Sequence, residues 1–184
     1  ETMDRFNTAL TIMKKELRAY FVSPIAYIVI TIFLIFSGFF FFKDFFYFNQ
    51  AEMRNYFQLL PLMFTFVVPA VTMRLFSEER QIGSMEILMT LPVTSLDVTA
   101  GKLLAGTLFT IVMLAPSLFY VVTLIIVGSP DPGPIIGGYL GAIFLAAAYA
   151  SIGVLTSSLS KNQIIGFITG WAACFFLWLI DKIV

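Results

Sequence analysis

The residues of this chain that could perform chemistry are few and lie close together. Ser77, Glu78, Glu79, Arg80, Gly83, Ser84 and Glu86 occupy the longest polar stretch of the sequence, between Arg74 and Lys102. A serine followed by two carboxylates suits the positive end of a helix, so Ser77 is a candidate N-cap. Gly83 interrupts, the residues from Ser84 to Leu91 can form a second short helix, and Pro92 ends it. Thr94 and Asp97 have the spacing of a capping box, which opens a further helix running through Gly101 and Lys102. Charged helical turns of this kind suit docking and the transfer of force. Bond-making chemistry has little to work with: the chain has no histidine, so a Ser-His-Asp arrangement is impossible, and its single cysteine, Cys174, excludes a disulfide framework. Without histidine most metal sites are also out of reach. No Gly-x-x-x-x-Gly-Lys-Ser/Thr phosphate loop occurs, because Gly101-Lys102 lacks both the upstream glycine and the hydroxyl residue.

The elements that hold this polar stretch are apolar to a degree that defines their solvent. Of 184 residues, 59% are hydrophobic and only 12% charged, which is far from a soluble composition. A bilayer core needs roughly 20 helical residues to cross. Five uncharged stretches reach that length, with spans expected at 25–42, 56–75, 103–127, 135–156 and 163–180. Runs such as Ile28 to Phe36 lack the alternation of a membrane β-barrel strand. The first run is too long for a signal peptide and has no small-residue cleavage site. The expected fold is therefore an all-α integral membrane protein, a bundle of about five transmembrane helices. No ionised residue sits at the centre of a span, which argues against a proton-coupled carrier, although a sodium site built from backbone oxygens would leave no such trace. A formal net charge of zero implies no nucleic-acid partner.

With five crossings, one side of the membrane collects eight of the basic residues, Arg5, Lys14, Lys15, Arg18, Arg74, Arg80, Lys102 and Lys161. The other side holds three, Lys43, Arg54 and Lys182. The positive-inside rule then puts the N-terminus in the cytoplasm. Residues 3–22 are patterned as an amphipathic interface helix: Met3, Phe6, Leu10, Met13, Leu17 and Tyr20 recur at steps of three and four, and Arg5, Lys14, Lys15 and Arg18 take other positions. A simple membrane anchor would show the same pattern. Ser23-Pro24 breaks it. The residues from Ser157 to Gln163 read as a short polar link. Gly138, Ala142, Ala146 and Ala150 recur every four residues, and Gly166 and Gly170 repeat the small-x-x-x-small spacing of close helix contacts, within the chain or across a dimer. Pro61, Pro69 and Pro116 should kink their spans.

The run from Phe76 to Ser95, followed by Gly101-Lys102, resembles the ABC-2 type transporter permease family. Two acids and a base (Glu78, Glu79, Arg80), a Gly-Ser-x-Glu (Gly83, Ser84, Glu86) and a leucine-rich turn with Leu88 that ends at Pro92 match its coupling region, here 77–92. The resemblance covers nearly all of residues 1–184 as a single transmembrane domain, and its flavour is closest to the branch associated with gliding motility. It implies a permease subunit of an ATP-driven ABC transporter, an exporter in a bacterial cytoplasmic (inner) membrane. ATP and magnesium would be bound by separate cytosolic ATPase subunits, and no cofactor by this chain. The other partners implied are a second permease copy, identical or related, and the lipid bilayer. The family usually has six spans, so a chain that stops after five is expected to lack its C-terminal end. The alternative reading, from a different class, is a non-transporting membrane scaffold whose cytoplasmic loop recruits a soluble partner.

Overall fold

The computed structural model describes residues 2–48, 52–84, 93–128 and 130–183, with side chains described from residue 6 onward except at 44–48. In chain order the elements are α1 (Thr2–Val22), α2 (Pro24–Phe48), α3 (Arg54–Thr72), α4 (Arg74–Ile82), α5 (Ser95–Leu114), a 3-10 turn (Ala115–Ser117), α6 (Leu118–Val127), α7 (Pro132–Leu159) and α8 (Gln163–Ile183). No strand occurs among the described residues. Five segments are long and apolar enough to cross a membrane: Pro24–Lys43, Arg54–Ile82, Ser95–Val127, Pro132–Leu159 and Gln163–Ile183. The protein is thus an all-α membrane bundle.

Local chemistry sets several helix ends. Thr94 Oγ1 accepts from the Asp97 N–H at 3.3 Å while Asp97 Oδ2 accepts from the Thr94 N–H at 3.2 Å, a reciprocal capping box that starts α5. Asp131 accepts from the Gly133 N–H at 3.0 Å, with Pro132 at the first helical position of α7. Gly83 ends α4 in the left-handed conformation (φ 78°), which glycine adopts without steric cost. Pro116 lies in the 3-10 turn that divides the third span, where its missing N–H breaks the α-helical ladder.

Two local expectations are corrected. Ser77 is no N-cap: α4 begins at Arg74, and the Ser77 hydroxyl bonds back to the Met73 carbonyl from within the helix. Met73 itself has helical angles (φ −53°, ψ −32°), so α3 runs almost directly into α4 and no free helix start exists for Ser77 to cap. Ser157 is not in a link. It lies in the last turns of α7, fully buried.

The bundle is organised around α3, which packs on α2, α7 and α8 and touches α5. Leu60, Phe64, Thr65 and Val68 are all but inaccessible, and with Phe33, Met113, Ala146 and Cys174 they form the centre of the core. α2 contributes Phe33 inward and leaves Ile28, Ile32, Ile35, Phe36 and Phe39 exposed, the face a lipid-embedded helix needs. The seams are made close by small residues. Ala142, Ala146 and Ala150 are buried where α7 meets α3 and α5, and a Cβ at Gly138 would overlap the Phe57 ring. Gly166 lies against Ser157 and Met73, and Gly170 against Thr156 and Pro69.

The tightest seam is between α7 and the end of α3, where a Cβ on Gly153 would overlap Thr72 Oγ1 and lie 2.9 Å from Thr72 Cβ. Thr72 is fully buried and β-branched, so it cannot swing away. Gly153→Ala should therefore cost about 1–3 kcal/mol through overpacking, read as a lower melting temperature in detergent. Thr72→Ala, whose hydroxyl bonds carbonyls of its own helix among the described residues, removes the Oγ1 overlap but keeps the Cβ, so it should recover part of that loss when combined with it. A double variant as unstable as Gly153→Ala alone would show that this contact is not the limiting one.

Candidate functional site

α5 turns a buried stripe inward: Val98, Lys102, Ala105 and Phe109, at steps of four, three and four. A lysine in that series is 1% exposed and faces the polar elements α1 and α4. Its ammonium lies 2.9 Å from Glu79 Oε1 of α4 and 3.1 Å from Glu16 Oε1 of α1. It also donates to the Leu75 carbonyl and stands 4.9 Å from the centre of the Phe76 ring. Both carboxylates are largely buried. Lys15, at the exposed rim, approaches Glu79 at 3.7 Å and Glu16 at 3.9 Å and brings the charges of the cluster to balance. Three helices far apart in sequence thus meet at one buried cation. Separated ions in an apolar interior cost several kcal/mol each, so these side chains hold one another in place. The second carboxylate oxygen of Glu79, Oε2, is buried and meets no donor among the described residues.

Helix contact at this corner is close enough to make the ion pairs reachable. A Cβ on Gly101 would stand 2.8 Å from both the Ala9 carbonyl and Ile12 Cβ, so only glycine lets α1 lie this close to α5. α1 packs more extensively on α5 than on any other element. Its inward face is Ala9, Ile12, Glu16 and Tyr20, with Phe6 turned out and 63% exposed. The apolar stripe read from the sequence is therefore rotated by part of a turn, because the Glu16 to Lys102 pair and the Ala9 to Gly101 contact decide which face goes in.

The junction of α3 and α4 is held from two sides. Ser157 Oγ of α7 accepts from the N–H groups of Phe76 (3.1 Å) and Ser77 (3.2 Å) and donates to the Met73 carbonyl at 2.6 Å. A side chain inserted into the backbone ladder accounts for the interruption at Met73. From α1, the Tyr20 hydroxyl donates to the Val71 carbonyl at 2.7 Å. Burial pushes that phenol far above its ordinary pKa, with nearby Arg74 partly opposing the shift, so it stays a donor. Arg74 lies over the Tyr20 ring at 5.3 Å and pairs through Nε with Glu78 at 3.1 Å.

The residues singled out from the sequence thus divide. Glu79 points inward to Lys102, Glu78 pairs along its own helix with Arg74, and Arg80 is exposed with no partner among the described residues. Gly83 is exposed at the end of α4, and Ser84 donates to the Glu79 carbonyl at 3.4 Å. Glu86, Leu88 and Pro92 lie outside the described residues, as does the Arg5 side chain. Lys14 and Arg18 are exposed on α1. Sequence reasoning missed Glu16, Lys102 and Ser157 as members of the site. The signal was present: Glu16 falls in register with Ala9, Met13 and Tyr20 on an otherwise apolar face, and Lys102 falls between Val98 and Ala105 on another.

The family described as ABC-2 family transporter protein matches this chain over residues 10–180. No curated protein and no solved structure matches it.

Removing one member of a buried ionic cluster leaves the others uncompensated, typically at about 3–5 kcal/mol, whereas removing the whole cluster is far milder. Lys102→Met should accordingly unfold at a much lower temperature in detergent than the parent protein. Adding Glu16→Gln and Glu79→Gln to it should restore a large part of the difference. A triple variant no better than Lys102→Met would mean that packing, not charge, makes Lys102 important.

Proposed function

This chain belongs to the ABC-2 transporter family and is a membrane-spanning permease subunit of an ABC transporter, and from that premise we propose that it forms half of an exporter driven by a separate cytosolic ATPase. The observation that carries the proposal is the buried Glu16–Lys102–Glu79 cluster, which ties the polar helix α4 to α1 and to the start of the third span. α4 continues α3 with helical angles at Met73, so α4 is a lever on the second span as well. A push on α4 then reaches two spans and the N-terminal helix together.

In this reading the end of the bundle that carries α1, α4 and the start of α5 faces the cytosol, in agreement with its share of the basic residues, and the membrane is the bacterial inner one. Glu78, Arg80, Gly83 and Ser84, with Glu86, Leu88 and Pro92 by resemblance, form the surface on which the ATPase docks, and Glu79 contributes to coupling from the inner side of α4 through Lys102. The ATPase holds ATP and magnesium, and a second permease copy completes the pathway. Closure of the ATPases on nucleotide presses α4, tilts the second and third spans, and alternates access between the two sides. Outward direction rests on the family resemblance.

The test uses the permease co-purified with its ATPase in reconstituted membranes. Gly83→Pro, which cannot adopt the positive φ found at that position, and Glu86→Lys, which reverses a charge of the matched motif, should each reduce permease-stimulated ATP hydrolysis by roughly tenfold, within the usual range of coupling between sites. The melting temperature of the Glu86→Lys permease alone should stay near that of the parent. Unchanged association and stimulation in both variants would remove α4 and its following segment from the coupling path.

A further inference from the structure

The outward side of α1 carries a recess of about 460 Å³ lined by Lys14, Lys15, Arg18, Ala19 and Val22. Lys14 and Arg18 are one helical turn apart, and neither meets a carboxylate among the described residues. The recess ends where the first span begins. Val22 is 77% exposed, and beyond the break at Ser23 the exposed Ile25, Tyr27 and Ile28 continue the apolar surface down α2. A shallow, open recess of largely apolar wall flanked by cations, on the helix that leads into an exposed apolar span, fits one class of molecule. We propose that this recess is a binding site for an anionic glycerophospholipid, with its phosphate between Lys14 and Arg18 and its acyl chains along Ile25 and Ile28.

The chemistry favours a lipid over the other anions that a basic patch could attract. A free phosphate would use the two charges and leave Val22, Ile25 and Ile28 uncovered. An acidic surface of a soluble protein would reach the charges but not the face of α2 that begins the first membrane segment. A lipid covers both, and basic residues beside a span gain several-fold in attraction to anionic headgroups for each charge. Zwitterionic lipid fits the apolar part equally well but gains little from the cations. Lys15 gives the site a further consequence, because it lines the recess and also reaches Glu79 at 3.7 Å. Lipid occupancy and the geometry of the buried cluster therefore share a side chain.

The experiment titrates the purified full chain in detergent with dioctanoyl-phosphatidylglycerol or dioctanoyl-phosphatidylcholine and follows thermal unfolding. The glycerol lipid should stabilise saturably, and the choline lipid should be about tenfold weaker, as expected when two basic residues read the headgroup charge. Lys14→Gln combined with Arg18→Gln, which leaves Lys15 and the buried cluster intact, should abolish that preference without altering the choline-lipid response. Lys161→Gln, a basic residue elsewhere at the same end of the bundle, should preserve it. Equal responses to the two lipids, or a preference that survives in the double variant, would overturn the site. Stabilisation by inorganic phosphate with the same dependence on Lys14 and Arg18 would replace the lipid with a free anion. Release of the cytosolic ATPase by the double variant, with headgroup preference intact, would make the face a protein dock instead. Phospholipid co-purifying with the parent protein gives an independent reading, with enrichment of anionic headgroups over the surrounding membrane expected and none contradicting the assignment.

Discussion

An ammonium group withdrawn from water among apolar helices must find anions at bonding distance, or the helices that bury it separate. Lys102 finds two, on helices that precede it by 86 residues at Glu16 and by 23 at Glu79. The Leu75 carbonyl accepts a further hydrogen bond from the ammonium, and the electron-rich face of the Phe76 ring stands beside it. Apolar surface would hold α1 against α5 in any of several registers. The ionic cluster selects one, because a slip of a single residue would carry Glu16 out of reach of a cation that has no water to fall back on.

That register passes to the backbone of the second span. Lys102 and Ser157 both bond to main-chain groups between Met73 and Ser77, and Tyr20 bonds to the Val71 carbonyl just before them. Three helices therefore supply side-chain partners to one short stretch of a fourth. Pro69 has already removed one N–H from the ladder a turn earlier. The stretch is thus the place where the span's own hydrogen bonding is weakest and its external bonding strongest. Close approach is a precondition for these bonds, which is why glycine stands at 101 against α1 and at 153 against Thr72.

How much of this was legible in the sequence follows from the range over which each signal acts. The five spans were readable because a run of twenty apolar residues states its own environment, and the capping box at Thr94 because its partners lie three residues apart. The family was readable from the acid, glycine and proline spacing between Glu78 and Pro92. The cluster was legible only in halves: Glu16 and Lys102 each stand in register on an apolar face, but nothing local says that those two faces, 86 residues apart, meet, and a lysine there could equally snorkel to the surface. Ser77 illustrates the opposite error. A serine before two glutamates reads as a cap, but α3 supplies the preceding turn, and the hydroxyl has a carbonyl four residues back to bond instead.

The bonding at this joint also bears on the mechanism proposed for it. A seam of aliphatic side chains resists separation but slides with little change in energy, so a push on α4 would be dissipated as slip along α5. Charge pairs and short hydrogen bonds are directional, and they either move with their partners or break. α4 is fastened to α1 and α5 through Glu79 and continues α3 through Met73, so a displacement of α4 is delivered to all three as a rigid unit. A joint held by directional bonds moves as a unit where an aliphatic seam would slip, and here that property follows from a single lysine placed where an alanine or leucine would have packed.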